Sequence, residues 1–288
     1  MPLAASELIL NSDGSIYHLN LLPEDIAETI ITVGDPERVH DVSKHFDVIE
    51  VKKGKREFHT HTGILNGKRI SVISTGIGTD NIDIVFNELD ALVNIDFGNR
   101  EEKDKKIALN FIRIGTSGAI QPDIDIDSFL LSAHAIGLDG LMHFYNCSDE
   151  QNITLASKLN SYLGWQNRHI TAYAFDCDDL LKNKLNSNRI RFGTTVTNAG
   201  FYGPQGRGIR LSPALKDFHQ KLMAFNFQDK KVTNLEMETA GIYGLASILG
   251  HRAVSMNAIL ANRATGKFSK NPARTVEQLI QYCLEKIS

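Results

Sequence analysis

The chain has 288 residues, of which 42% are hydrophobic and 23% charged, with 22 Gly and 7 Pro; this composition belongs to globular proteins and excludes disordered and fibrous classes. Thirty-one Lys and Arg against 34 Asp and Glu leave a net charge of -3, which excludes a protein that grips nucleic acid mainly by neutralising phosphates. Cys147, Cys177 and Cys283 lie far apart and form neither a CxxC pair nor a disulfide framework, so reduced thiols and a cytoplasmic location are expected.

The opening MPLAASELILNSDGS lacks a basic region and carries Glu7 and Asp13, so it does not read as a signal peptide. No apolar run approaches the roughly 18 residues of a membrane span, and no membrane partner is expected. Without a Pro/Ser-rich linker or an internal repeat, residues 1–288 read as one domain.

In chain order, Thr29–Val33 is a β-branched run that stops at Gly34, with Asp35 placed to cap a helix that begins at Pro36. Strands are expected at Phe46–Val51, Phe58–Leu65 and Arg69–Thr75, then a helix at Asp80–Val93. Residues 94–106 break the pattern and end in a charged run from Arg100, read as a surface insertion, a solvated loop or helix end without chemistry. Strands follow at Asn110–Gly115, Ser128–Ala133, Ile170–Phe175, Ile190–Thr197 and Ala253–Leu260, with helices at Ile153–Leu163, Pro213–Phe225, Glu236–Leu249 and Thr275–Ile287. Interleaved strands and helices predict an α/β fold with helices on both faces of a central sheet.

Several loops at the ends of these strands carry chemistry. Gly34-Asp35-Pro36-Glu37-Arg38 brings a close-approaching backbone, helix-start amides and a guanidinium to one place, which suits an oxyanion, or else is a plain helix cap with a surface arginine. Arg113 stands inside an apolar strand that closes in Gly115-Thr116-Ser117-Gly118; a buried arginine needs an anionic partner, either a ligand or a core carboxylate. Ser74-Thr75-Gly76-Ile77-Gly78 lacks the third glycine of a dinucleotide fingerprint and either packs a strand on a helix or lines the same pocket.

Asn234-Leu235-Glu236-Met237-Glu238 marks a strand end turning into an apolar helix. There Glu238 can accept from a vicinal diol while Met237 covers a sugar, or the two glutamates simply favour a helix N-terminus. In Asn198–Arg207, Phe201 can stack on a flat heterocycle while Gln205 and Arg207 read its edge; a surface loop with a half-buried Phe is the plainer alternative. His59-Thr60-His61 has the alternation of a metal pair but no third ligand at zinc-like spacing. No GxSxG elbow or Ser/His/Asp order is present, so covalent nucleophilic catalysis is not indicated.

Taken together, Tyr17-His18-Leu19, GDPERV at 34–39, KREF at 55–58, STGIG at 74–78, RIGTSGAIQP at 113–122, FYGPQGR at 201–207, NLEMET at 234–239 and NR at 262–263 resemble the nucleoside phosphorylase superfamily, above all its uridine phosphorylase branch. The resemblance implies a single-domain α/β/α sandwich around a mixed sheet. It implies phosphorolysis of uridine, with deoxyuridine or thymidine as further candidates, to uracil and ribose 1-phosphate; inorganic phosphate is the co-substrate and no cofactor is required. It assigns phosphate to Gly34, Arg38, Arg113 and Thr116, with Arg56 entering from a neighbouring subunit. Ribose falls to Met237, Glu238 and the neighbour's copy of His18, and the base to Phe201, Gln205 and Arg207. Arg113 and Arg207 carry the catalytic roles. The implied assembly is a homodimer with shared sites, alone or as a hexamer of three dimers.

Departures from the branch are informative. Tyr202-Gly203-Pro204-Gln205 stands where Tyr-Pro-Gly-Gln is usual, and Thr79-Asp80-Asn81 replaces Gly-Pro-Ser. An intersubunit potassium ion in that branch uses residues matching Glu57, Ile77 and Asn81, so the second change leaves potassium open and no metal is assigned. Gly241–Leu249 looks more like the purine branch, whereas Ala261 stands where purine enzymes place an aspartate. Without that acid a purine lacks its proton donor, which favours a pyrimidine. The alternatives are a purine nucleoside phosphorylase or nucleosidase of this fold, or a non-catalytic nucleoside sensor.

Overall fold

The computed structural model describes residues 2–147, 151–165, 170–215 and 217–288. The strands are β1 (Thr29–Val33), β2 (Val48–Lys55), β3 (Phe58–Leu65), β4 (Lys68–Ser74), β5 (Ile95–Asp96), β6 (Glu101–Glu102), β7 (Asn110–Ala119), β8 (Phe129–Gly137), β9 (Tyr173–Asp176), β10 (Ile190–Thr197), β11 (Asn226–Phe227), β12 (Lys230–Glu236), β13 (Arg252–Asn262) and β14 (Lys267–Phe268). The α-helices are α1 (Pro36–Ser43), α2 (Thr79–Asn94), α3 (Ile153–Leu163), α4 (Asp179–Lys184), α5 (Phe218–Ala224), α6 (Thr239–Ile248) and α7 (Pro272–Ile287). The expected α/β architecture is present, with a large mixed sheet flanked by helices.

The sheet runs in the order β11-β12-β10-β8-β13-β7-β1-β4-β3-β2. It also does something the strand pattern did not announce. β12 pairs in parallel with β10 and antiparallel with β7, through Asn234 opposite Ala119 and Leu235 opposite Gly118. The strands β7, β13, β8, β10 and β12 therefore close into a ring, and the remaining strands extend from it as an open sheet.

Helix α6 is buried along Thr239–Ala246 and packs against α2 and the strands β8, β9, β10 and β13. Gly241 makes the approach to α2 possible, since a Cβ there would lie 2.9 Å from Thr79 Cγ2, and Gly244 admits Met142 of the turn Leu141–Phe144, whose Sδ would lie 2.6 Å from a Cβ. Helix α7 buries Leu279, Ile280, Cys283, Leu284 and Ile287 and packs against β13 and β7, each leucine or isoleucine contributing about 1.5–3 kcal/mol.

The structure departs from the expected elements in several places. Glu236 ends strand β12, and the helix begins at Thr239 because the Glu236 carboxylate accepts from the amides of Glu238 and Thr239. The helix expected over Pro213–Phe225 covers Phe218–Ala224 only; Lys216 lies outside the described residues. Helix α4 was not foreseen; Asp178 caps it by accepting from Leu181 N. Residues 94–106 are not a bare loop: β5 and β6 pair, and the Arg100 guanidinium donates to the carbonyls of Leu3, Ala4 and Leu8.

Candidate active site

A cavity of about 1080 Å³ opens at the carboxyl ends of β1, β7 and β12. At one end Asp35 caps α1 by accepting from Glu37 N at 2.9 Å, as its sequence position predicted. The cap turns Gly34 and Arg38 toward the cavity, whose wall they share with Arg113 and Thr116. Arg38 leans on β7 through a 3.4 Å bond to the Ile114 carbonyl. Burial, and after it the positive charge of Arg113, draw the Arg38 pKa below its ordinary value. Two guanidiniums that face one cavity repel each other, and an anion between them relieves the strain.

Arg113 is buried and held through both terminal nitrogens. Its Nη2 donates to Glu238 Oε2 at 2.6 Å and lies 3.2 Å from Glu236 Oε2, while Nη1 donates to Asn257 Oδ1 at 3.1 Å and Ser255 Oγ at 3.4 Å. The guanidinium passes over Gly115, where a Cβ would stand 1.9 Å from Nη1. Burial disfavours this charge, but Glu236 and Glu238 outweigh it and raise the Arg113 pKa.

The two carboxylates differ. Glu236 accepts from Glu238 N, Thr239 N and Thr239 Oγ1 at 2.9 Å each and from Thr197 Oγ1 at 2.5 Å, so hydrogen-bond donors from the strand end and the helix start hold it in place. Glu238 accepts from Gly78 N at 2.8 Å besides Arg113. Burial, with Glu236 beside it, holds Glu238 above the usual carboxylate range against the opposing pull of Arg113.

At the other end the turn Gly203–Gln205 buries Gln205 and stands beside Phe201 and Arg207. The Arg207 guanidinium lies 3.9 Å from the Phe201 ring centroid, and its Nη1 donates to Gln205 Oε1 at 2.5 Å and the Phe201 carbonyl at 2.7 Å. Arg263 donates to the Gln205 carbonyl at 2.6 Å. Burial and then Arg263 lower the Arg207 pKa, while burial lowers that of Arg263. This end is aromatic, edge-reading and cationic, which suits a flat heterocycle that gains negative charge. Met237, Leu260 and Ala261 also line the cavity.

The cavity thus gathers Gly34, Arg38, Arg113, Thr116, Phe201, Gln205, Arg207, Met237 and Glu238. His18 and Arg56 are not on its wall. His18 Nδ1 meets Glu88 Oε1 at 2.6 Å, and Arg56 sits exposed at the β2–β3 turn in a shallower depression with Lys52, His59 and His61. His61 Nδ1 pairs with Ser43 Oγ at 2.7 Å, and among the described residues no three His, Cys, Asp or Glu converge as metal ligands. Glu57, Ile77 and Asn81, the positions matched to potassium, meet at the cavity mouth around Gly76. Sequence reasoning missed Glu236 as a partner of Arg113, and Arg263 as the support of Gln205; the NR pair at 262–263 was the available signal for the second.

A family model described as the phosphorylase superfamily matches residues 28–287. The chain is 33% identical over 258 residues to a uridine phosphorylase of Thermococcus kodakarensis, which covers 90% of this chain and 81% of that relative. It is 32% identical over 252 residues to a uridine phosphorylase of Haemophilus influenzae, with 86% of each covered. A solved Trypanosoma brucei nucleoside phosphorylase, described as showing uridine phosphorylase activity, matches with a TM-score of 0.85 at 27% identity, over 97% of this chain and 99% of that one.

Proposed function

Because this chain belongs to the phosphorylase superfamily, we propose that it is a pentosyltransferase that cleaves uridine with inorganic phosphate to give uracil and ribose 1-phosphate. The observation that carries this reading is one cavity with a guanidinium pair at one end, Arg38 and Arg113, and an aromatic, edge-reading end formed by Phe201, Gln205 and Arg207. Glu238 and Met237 line the same cavity, and in this reading they take the sugar of the nucleoside.

In this reading a phosphate oxygen forms the new bond to C1′ while the glycosidic bond breaks and its electron pair leaves with uracil. Arg38, Arg113, Thr116 and the Gly34 backbone hold the phosphate below the sugar, which supplies positioning. Glu238 accepts from ribose hydroxyls. The departing uracil anion is met by Arg207 and Gln205, so both developing charges have a fixed partner. Ala261 on the wall offers a purine no proton donor. The purine-like stretch Gly241–Leu249 falls mostly in the buried helix α6, and none of it lines the cavity, so its kinship concerns packing and not base choice.

A spectrophotometric assay with uridine, thymidine and inosine tests the reading. Uracil release is expected only with phosphate, and inosine is expected to be a poor substrate. Equal release in phosphate-free buffer would make the enzyme a hydrolase, and inosine cleaved as fast as uridine would assign it to the purine branch.

We further propose a homodimer with shared sites, in which His18 and Arg56 complete the cavity of the adjacent copy; three such dimers would form a hexamer. Exposed Ile77 and Phe268 on the cavity wall support a covering partner, since large apolar side chains gathered at an opening mark contact surfaces. Mixing Arg56→Ala and Arg113→Ala proteins, each strongly impaired alone, is expected to restore part of the activity after reassembly. A fully active monomer by light scattering refutes the shared site.

A further inference from the structure

A buried chain of side-chain hydrogen bonds follows the strand ring, with one contributor from each strand and β7 at both ends. Arg113 Nη1 donates to Asn257 Oδ1 at 3.1 Å, and Asn257 Nδ2 donates to Ser132 Oγ at 3.1 Å. The hydroxyls of Ser132 and Thr195 meet at 2.5 Å. Thr195 Oγ1 donates to Asn234 Oδ1 at 2.8 Å, and Asn234 Nδ2 donates to Ser117 Oγ at 3.0 Å. All six residues are buried, and Asn257, Ser132, Thr195 and Asn234 are wholly so.

The direction of this chain follows from its first member. A guanidinium can only donate, so Asn257 turns its oxygen to Arg113 and its amide to Ser132. Ser132 then accepts, and its single proton has Thr195 as its partner. The proton of Thr195 goes in turn to Asn234, which must present oxygen there and amide to Ser117. Every donor points away from Arg113, an arrangement in which each bond polarises the next. The Ser117 hydroxyl accepts at the end of the line and, among the described residues, donates to no protein atom. Ser117 lies on the cavity wall, directly before Gly118 and Ala119, which pair with Leu235 and Asn234 of β12.

We propose that Ser117 is a substrate-binding donor whose proton is held for an acceptor oxygen of the nucleoside, and that Thr195, buried and out of reach of substrate, is the positioning residue that keeps it so. The inference rests on the phosphorylase reading and adds a contact on the nucleoside side of the cavity. Thr195→Val keeps the shape and removes the link. Asn234 is then free to turn its amide over, because Thr233 Oγ1 can accept from it while donating to the Thr194 carbonyl. Asn234 would thereby present oxygen to Ser117 and draw its proton away from the cavity.

The test is steady-state kinetics with uridine and phosphate varied separately, together with calorimetric uridine affinity without phosphate. Ser117→Ala and Thr195→Val are each expected to weaken uridine, in KM and in affinity, by about three- to tenfold, the worth of one hydrogen bond. The phosphate KM should stay unchanged. Thr195→Ser should restore the parent values, and the double variant should be no worse than Ser117→Ala, since both act through one proton. Asn234→Asp, which accepts but cannot donate, replaces Thr195→Val if that protein does not fold and is expected to weaken uridine alike. Parental uridine affinity in Ser117→Ala overturns the contact, and additive losses in the double variant overturn the positioning role. Failure of the parent to cleave uridine with phosphate would instead refute the phosphorylase reading, with the affinity comparison still deciding Ser117.

Discussion

Arg113→Ala is expected to lower kcat/KM for uridine phosphorolysis by about 10²–10³-fold, the scale of a lost charge-assisted donor in a water-poor site. It should also destabilise the fold by about 3–5 kcal/mol, because the substitution leaves Glu236 and Glu238 buried without their shared cation. The two losses are separable. Thermal melting reads the second, and kinetics well below the melting temperature reads the first. Arg113→Lys keeps a charge but not the planar fork that reaches Glu238 and Asn257 together, so it should recover stability better than turnover. Near-parental turnover in Arg113→Ala would remove this residue from the phosphate site.

Gly115→Ala is expected to cost about 10²-fold in kcat/KM although it removes no functional group. The added methyl would lie 1.9 Å from Arg113 Nη1 and 2.4 Å from Cζ, so the guanidinium must shift by more than a bond's slack, and a displacement of about 1 Å costs that much in a positioned site. The double variant with Arg113→Ala should be no slower than Arg113→Ala alone, since the methyl acts only through the arginine. An additive loss would show that Gly115 serves the cavity in another way.

The Arg38 end of the cavity was legible because local rules fix it: a β-branched strand, Gly34, an Asp cap and a Pro at the first helical position dictate where Arg38 goes. Arg113 was legible as an anomaly, an arginine in an apolar strand that demanded a partner. The core-carboxylate reading of it is realised, since Glu236 and Glu238 hold it, and its place on the cavity wall is what supports the proposed anionic ligand. The partner's identity was not legible. Glu236 and Glu238, two apart, do not share a helical face, but the chain passes from strand β12 into α6 between them and turns both toward Arg113. A period argument assumes one kind of element, and this pair straddles two. Glu236 was read as the first residue of the helix when it is the last of the strand.

His18 and Arg56 show a different limit. Their motifs are local, but nothing in a single chain brings them to the cavity, and in the structure they stand apart from it. The polar chain around the ring was invisible for a related reason: Ser132, Thr195, Asn234 and Asn257 each look like ordinary strand residues until pairing sets them side by side.

The pairing of Asn234 with Ala119 joins parts of the chain that are far apart in sequence, and it governs how the molecule is made. Closing a long loop costs entropy before any contact repays it, and folds built on such distant pairings form slowly. β7 emerges early in synthesis, but its end at Gly118 and Ala119 waits for β12, and one whole edge of it waits for β13, which is made later still. Arg113 meets Glu236 and Glu238 only once β12 has docked, because the carboxylates sit at the end of β12 and just beyond it. A nascent or partly unfolded chain can therefore hold its open sheet β1 to β4 and still lack a competent site, so catalytic ability is gained or lost as a unit with ring closure.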